Sequence, residues 1–224
     1  MRKLCGIFTL AIVLAAPSLG WAHFPWLALD KDGHAILFFG EGLTERNYHL
    51  PPPIAKAELV LHAAGSAEKL KMAALDQEDF VGLRSVAAVK PAGTVATSVL
   101  YGDYHGVQLI YYAQHLLGDA KTGSKETIAK QKLQAIVQAR ENGGVACTIL
   151  WDGQPLQNAE VTLFCQDGHE EGKAKTDASG SVTFSDAQVE DGLNAILVGH
   201  TIKHGLGEDA KAKEAHYLTA TFSK

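Results

Sequence analysis

The chain has 224 residues, 46% of them hydrophobic, and a formal net charge of −5. A mildly acidic chain without basic clusters is a poor partner for nucleic acid, because that binding depends on neutralising phosphates. Beyond the first 22 residues no apolar run approaches the roughly 18–20 residues of a spanning helix, so no transmembrane segment is expected after them.

Residues 1–22 read as a secretory signal. Arg2 and Lys3 precede an apolar stretch from Ile7 to Ala16, and the small residues Gly20 and Ala22 stand third and first before a cut. Arg2 and Lys3 are the only charged residues removed, so cleavage leaves 202 residues with a charge of −7 and His23 at the new terminus. A periplasmic or secreted location follows.

The mature chain is punctuated as strands and turns. Trp26–Leu29 and Ala35–Phe39 flank a hairpin-like Asp30-Lys31-Asp32-Gly33. Pro51-Pro52-Pro53 reads as a stiff extended connector. Glu58–His62 and Val95–Tyr101 alternate, and Gly106–Tyr112 is rich in β-branched and aromatic residues. These segments predict a first β-sandwich over residues 23–118. A polar linker is expected over 119–130. Lys125–Arg140 suits either helix or strand, with a strand near 132–139 preferred. A second sandwich over 131–224 would take its strands from Cys147–Trp151, Ala159–Phe164, Ser181–Phe184, Ala195–Val198 and Tyr217–Phe222. The predicted class is all-β: two immunoglobulin-like or carboxypeptidase-regulatory-like β-sandwich domains behind a cleaved signal peptide.

Cys147 and Cys165 are the only cysteines after residue 22. An even count in an oxidising compartment predicts a disulfide. If their segments pair as a hairpin, Trp151 faces Val161 and Cys147 faces Cys165, at a spacing a disulfide accepts. The alternative is two buried free thiols.

All ten histidines follow the signal, whereas Met72 is the only methionine beyond the start. That argues against a thioether carrier of Cu(I), while imidazole with carboxylate suits Cu(II), Ni(II) or Zn(II). His23 freed by cleavage would offer two nitrogen donors, its α-amine and Nδ1, in one chelate ring. The amine titrates near pH ~8, so a metal displaces its proton readily. Two sets could complete the site. Asp103 and His105, two residues apart in extended backbone, project from one face. His200 and His216 would be neighbours if their strands pair antiparallel. The competing readings are that Asp103 caps a turn and that His200 and His216 are hydrogen-bonded surface groups. Trp26 is expected to be a core anchor, His115 a strand-end polar residue, and His34, His49, His62 and His169 carry no assigned role. No Gly-x-Ser-x-Gly, His-Glu-x-x-His or phosphate-cradling glycine loop is present, so an enzyme is not expected.

The N-terminal histidine with Asp103-Tyr104-His105 resembles small periplasmic copper-binding β-sandwich proteins of the CopC type. Over the whole mature chain a broader likeness holds. His23-Phe24-Pro25-Trp26-Leu27, Tyr101-Gly102 with Leu109–Ala113, Trp151–Leu156 with Ala159-Glu160-Val161, Thr176–Gly180 and His216–Thr221 together resemble the periplasmic family grouped with the nickel-uptake substrate-specific component. The resemblance implies a soluble metal-handling protein with the N-terminal histidine as ligand. It does not settle the metal: the ligand types put Cu(II) first and Ni(II)/Co(II) or Zn(II) next, for delivery, buffering or sensing, with a metal transporter or another periplasmic protein as partner. The alternative is a non-metal extracytoplasmic module that recognises a polysaccharide or protein. An oxidative copper enzyme with a histidine brace would also need a flat substrate-facing surface, which the sequence does not supply.

Overall fold

The structure, a computed structural model, describes residues 23–90, 92–119, 128, 131–204 and 211–224. The signal-peptide reading and most of the linker lie outside these residues. No described helix is long and apolar enough to cross a membrane.

The described residues form three sheets. The first is antiparallel, in the order β1 (Phe24–Leu29), β2 (Ala35–Gly40), β6 (Val81–Ser85), β5 (Met72–Asp76). The second centres on β10 (Val145–Trp151), which pairs with β9 (Leu133–Ala139) on one side and with β14 (Ser181–Phe184) and β11 (Gln154–Pro155) on the other. The third has eight strands. Its order is β13 (Glu170–Lys175), β12 (Glu160–Cys165), β15 (Leu193–His204), β16 (Lys211–Ser223), β8 (Val107–Asp119), β7 (Gly93–Tyr104), β3 (Val60–Ala63), β4 (Ser66–Lys69). The chain is thus all-β and layered as sandwiches, as its strand-and-turn pattern predicts.

The two sequence halves meet in the large sheet. The closing strand β16 runs parallel to β8 from Glu214↔Gln108 to Thr221↔His115. Alternation then assigns opposite faces of β8 and β16 to different layers. Tyr111, Ala113 and Tyr217 pack with Phe24, Leu27 and Leu37 of the first sheet. Tyr112, Leu116, Leu218, Ala220 and Phe222 pack with Leu133, Val137 and Ile149 of the second. Strands covered on both faces have no polar side, which is why Tyr111–Leu117 are all buried. Thr219 and Thr221 fasten the first sheet to this centre, their hydroxyls donating to the carbonyls of Pro25 and Leu27.

Several expectations resolve here. The hairpin around Asp30–Gly33 forms, with Asp30 Oδ1 accepting the backbone N–H groups of Asp32 and His34 at 2.9 Å. The segment near 132–139 is strand β9. The proline run is not an extended connector: Pro52–Ala55 makes a helical turn, α1, with proline at its start, where a missing N–H costs nothing. The Cys147–Cys165 hairpin does not form. β10 and β12 belong to different sheets, Cys147 stands opposite Val137 and Val182, and Cys165 stands opposite Asn194. Both cysteines are buried free thiols. The short Asp152–Pro155 turn folds β11 back onto β10, so Trp151 pairs with Gln154 and not with Val161.

Candidate functional site

His23 enters directly into β1, whose first pair is Phe24↔Gly40. Beyond Gly40 the chain doubles back over the strand end. Gly40 is needed for that approach, because a Cβ there would stand 2.3 Å from the Glu45 carbonyl oxygen. The returning segment is tied down by Arg46. Its Nε donates to the Leu43 carbonyl at 2.9 Å, its carbonyl accepts Val81 N–H at 2.7 Å, and its guanidinium lies over Phe38. Glu45 and Tyr48 are thereby carried to His23.

The Glu45 carboxylate accepts Glu41 N–H at 2.7 Å and lies 3.4 Å from His23 Nε2. The imidazole rests against Tyr48, with ring centroids 3.9 Å apart, and stacks on Phe39 at 5.8 Å. Because a carboxylate only accepts, this pairing puts the ring proton on Nε2 and leaves the lone pair on Nδ1, the nitrogen nearest the residue's own backbone nitrogen. Trp26 fixes the strand behind the site as a core anchor, fully buried with Nε1 donating to the Gly40 carbonyl at 3.0 Å.

Neither expected set converges on His23. Asp103 and His105 occupy the β7–β8 hairpin tip, where His105 (φ 53°) and Gly106 (φ 81°) form a two-residue turn of positive φ. Backbone of that kind does not project positions 103 and 105 as an extended pair. Asp103 Oδ1 instead accepts Gly106 N–H at 3.1 Å. His200 and His216 do stand directly opposite each other on β15 and β16. However, His216 points into the second layer, away from the one His23 serves. Trp151 lies 4.6 Å from both rings. His216 is 2% exposed and has both nitrogens engaged: the Tyr112 hydroxyl donates to Nδ1 at 3.0 Å, and Nε2 donates to Glu214 at 3.0 Å. Burial, with smaller contributions from Asp152 and Glu214, pushes the Tyr112 hydroxyl up to about 12 and keeps it a donor. Burial also lowers His216 and His200, the latter helped by His216. A metal could reach His216 only by breaking its bonds to Tyr112 and Glu214.

His115 is not a strand-end residue. It is buried in the middle of β8, its Nδ1 2.7 Å from Thr221 Oγ1, and burial lowers it to about 4. Sequence reasoning also missed Glu45, which carries no motif and reaches His23 only because of Gly40. Among the described residues, one group of three ligating side chains has all its donor atoms within 4.8 Å of one another: Cys165, His169 and Glu171.

No family model matches the chain, and no curated protein matches it. Three solved structures align at low similarity. The tetra-tandem repeat from the extending region of a large adhesion protein is 12% identical with a TM-score of 0.25, covering 90% of this chain and 49% of that one. The BSP domain of a biofilm-associated protein is 13% identical with a TM-score of 0.23, covering 89% and 29%. The D0–D1 domain of intimin is 14% identical with a TM-score of 0.21, covering 89% and 97%. This chain therefore spans about half the length of the first and under a third of the second.

Proposed function

We propose that this is an exported metal-binding protein that holds Cu(II), or Ni(II) in its place, through the α-amine and Nδ1 of a mature N-terminal His23. The observation that carries the reading is the His23–Glu45 pair. A ligating histidine commonly donates its other ring N–H to a carboxylate, which fixes the tautomer and orients the ring. Glu45 stands where that role requires, 3.4 Å from Nε2. Phe39 and Tyr48 hold the ring plane. Amine and imidazole nitrogens form the type of donor set that suits tetragonal Cu(II).

Two protein donors leave most coordination positions to solvent or to a partner. A site of that kind exchanges its ion readily, which fits delivery or buffering better than permanent storage. Periplasmic or secreted localisation rests on the signal read in residues 1–22. The test is metal titration of chain beginning at His23 beside chain with one alanine added before it. The extended form should bind Cu(II) at least about tenfold more weakly, since an amide nitrogen replaces the amine. Equal affinity in the two forms removes the terminal-amine reading.

A second reading, a module recognising a polysaccharide or protein, draws on one surface. Leu100 and Tyr104 on the β7–β8 hairpin are about 60% exposed. Glycan retention by the wild type but not by Tyr104→Ala would favour it.

A further inference from the structure

We propose that Cys165, His169 and Glu171 form a separate, thiolate-containing site for a zinc-class divalent cation. The proposal does not rest on His23. The three donors come from one β-hairpin. Cys165 closes β12, Gln166–His169 makes the turn, and Glu171 lies in β13. The turn is pinned by Gly168 N–H donating to the Cys165 carbonyl at 3.0 Å and by Cys165 N–H donating to the His169 carbonyl at 3.1 Å. Gly168 has φ 81°, the left-handed conformation that lets so short a turn bring residues 165 and 169 together.

The donor atoms lie within 4.8 Å of one another. Zinc bonds of about 2.0–2.3 Å at tetrahedral angles need donors roughly 3.3–3.7 Å apart, so a modest inward movement of the side chains closes the set. Sulfur, imidazole and carboxylate are zinc's own ligand types, and the three-residue gap from Cys165 to His169 falls in the usual range of spacings. Cys165 is buried, Glu171 is half-buried and His169 is exposed, so the mixture spans from core to solvent and leaves an entry path.

Burial pushes the Cys165 thiol up against the opposing backbone N–H groups of His169 and Asp167, and the Glu171 and Glu190 carboxylates add a smaller upward push. The same carboxylates that disfavour a bare thiolate attract a dication. On binding, the Cys165 S–H bond breaks, its proton passes to solvent, and a sulfur–metal bond forms. Cys147 provides an internal contrast. It is a fully buried thiol that burial alone pushes up to about 12, within an apolar cluster.

Co(II) is the probe, titrated into the chain beginning at His23 under a non-chelating reductant. One equivalent should produce a sulfur-to-cobalt charge-transfer band in the near ultraviolet. Cys165→Ser should abolish that band, whereas Cys147→Ser and His23→Ala should keep it. The His23→Ala arm separates the proposal from the terminal site, which has no sulfur donor. His169→Ala and Glu171→Gln change exposed and half-buried positions, so they report even if Cys165→Ser misfolds. Each should weaken Co(II) by about tenfold or more, the scale on which even outer-shell partners act. The proposal is overturned if the wild type gives no sulfur band, if the band survives in Cys165→Ser, or if both His169→Ala and Glu171→Gln bind Co(II) as the wild type does.

Discussion

His216 and Tyr217 are consecutive in β16 yet belong to opposite layers: Tyr217 packs 5.3 Å from Phe24, and His216 lies 4.6 Å from Trp151. The large sheet therefore stands between His23 and the His200–His216 pair. From that separation we expect His200→Ala and His216→Gln to leave Cu(II) affinity at the mature terminus unchanged, and His23→Ala to remove it. Glu45→Gln should weaken Cu(II) by about 10–100-fold, because the carboxylate that orients the ring is lost. Isothermal titration of the four variants checks this. A loss of affinity in His200→Ala or His216→Gln would return those residues to the site.

The strands were legible in the sequence because their signals are local. Alternation marks β7, β-branched and aromatic residues mark β8, and the turn at Asp30–Gly33 marks β1–β2. The antiparallel pairing of His200 with His216 could be read for the same reason, since one connection joins their strands. What could not be read was the parallel pairing of β8 with β16, which joins segments about a hundred residues apart and decides which face each residue serves. The hairpin expected to pair Cys147 with Cys165 failed at this level. Cys147 and Cys165 are close in sequence, but β10 and β12 enter different sheets. Asp103-Tyr104-His105 misled in another way: an i, i+2 argument assumes extended backbone, and His105 is the first residue of the turn. Glu45 lay beyond sequence reasoning, because its place depends on a missing Cβ at Gly40.

The free thiols give a second prediction. Protein beginning at His23 should show the same Tm with and without a reductant, and when unfolded it should titrate two thiols, Cys147 and Cys165. A reductant-dependent fall of several degrees would indicate a crosslink between the two cysteines. A native disulfide in a small exported domain contributes about 2–5 kcal/mol, well within calorimetric reach.

His115 makes stability depend on pH. Its folded-state value is about 4 against 6.5 for the free side chain, because burial disfavours the imidazolium. The unfolded chain therefore binds a proton that the folded chain refuses. The stability is fully present above pH 6.5 and is lost as pH falls toward about 4. A depression of that size corresponds to about 3 kcal/mol. His200 and His216 are also lowered, and they act in the same direction. Urea unfolding across this window should show His115→Gln flattening the acid side of the profile. An unchanged slope in that variant would mean that His115 is not the group responsible.

The hydroxyl of Thr221 should matter more than its size suggests. It has one proton, which it gives to the Leu27 carbonyl, so His115 Nδ1–H donates to Thr221 Oγ1 at 2.7 Å. Thr221→Val keeps the volume and strands two buried polar groups, each costing about 1–3 kcal/mol. We expect a loss of about 2–6 kcal/mol in denaturant unfolding. A double variant with His115→Leu should lose less than the sum of the two singles, because the nitrogen left without a partner is removed along with it.

Gly40→Ala tests whether the loop geometry and the metal site are one device. The φ of Gly40 is not positive, so alanine is strained there only by contact, its Cβ meeting the Glu45 carbonyl oxygen at 2.3 Å. Overpacking of this kind costs about 1–3 kcal/mol, and relief comes from moving the 41–48 segment off the strand end. That movement carries Glu45 away from His23 Nε2. Gly40→Ala should therefore lower Tm and weaken Cu(II) in the same direction as Glu45→Gln. The two changes should not add in affinity: once Glu45 has been displaced, replacing its carboxylate removes little more. They should remain distinct in stability, where only Gly40→Ala introduces the clash. Additive losses of affinity in the double variant would show that Gly40 and Glu45 act on His23 by separate routes.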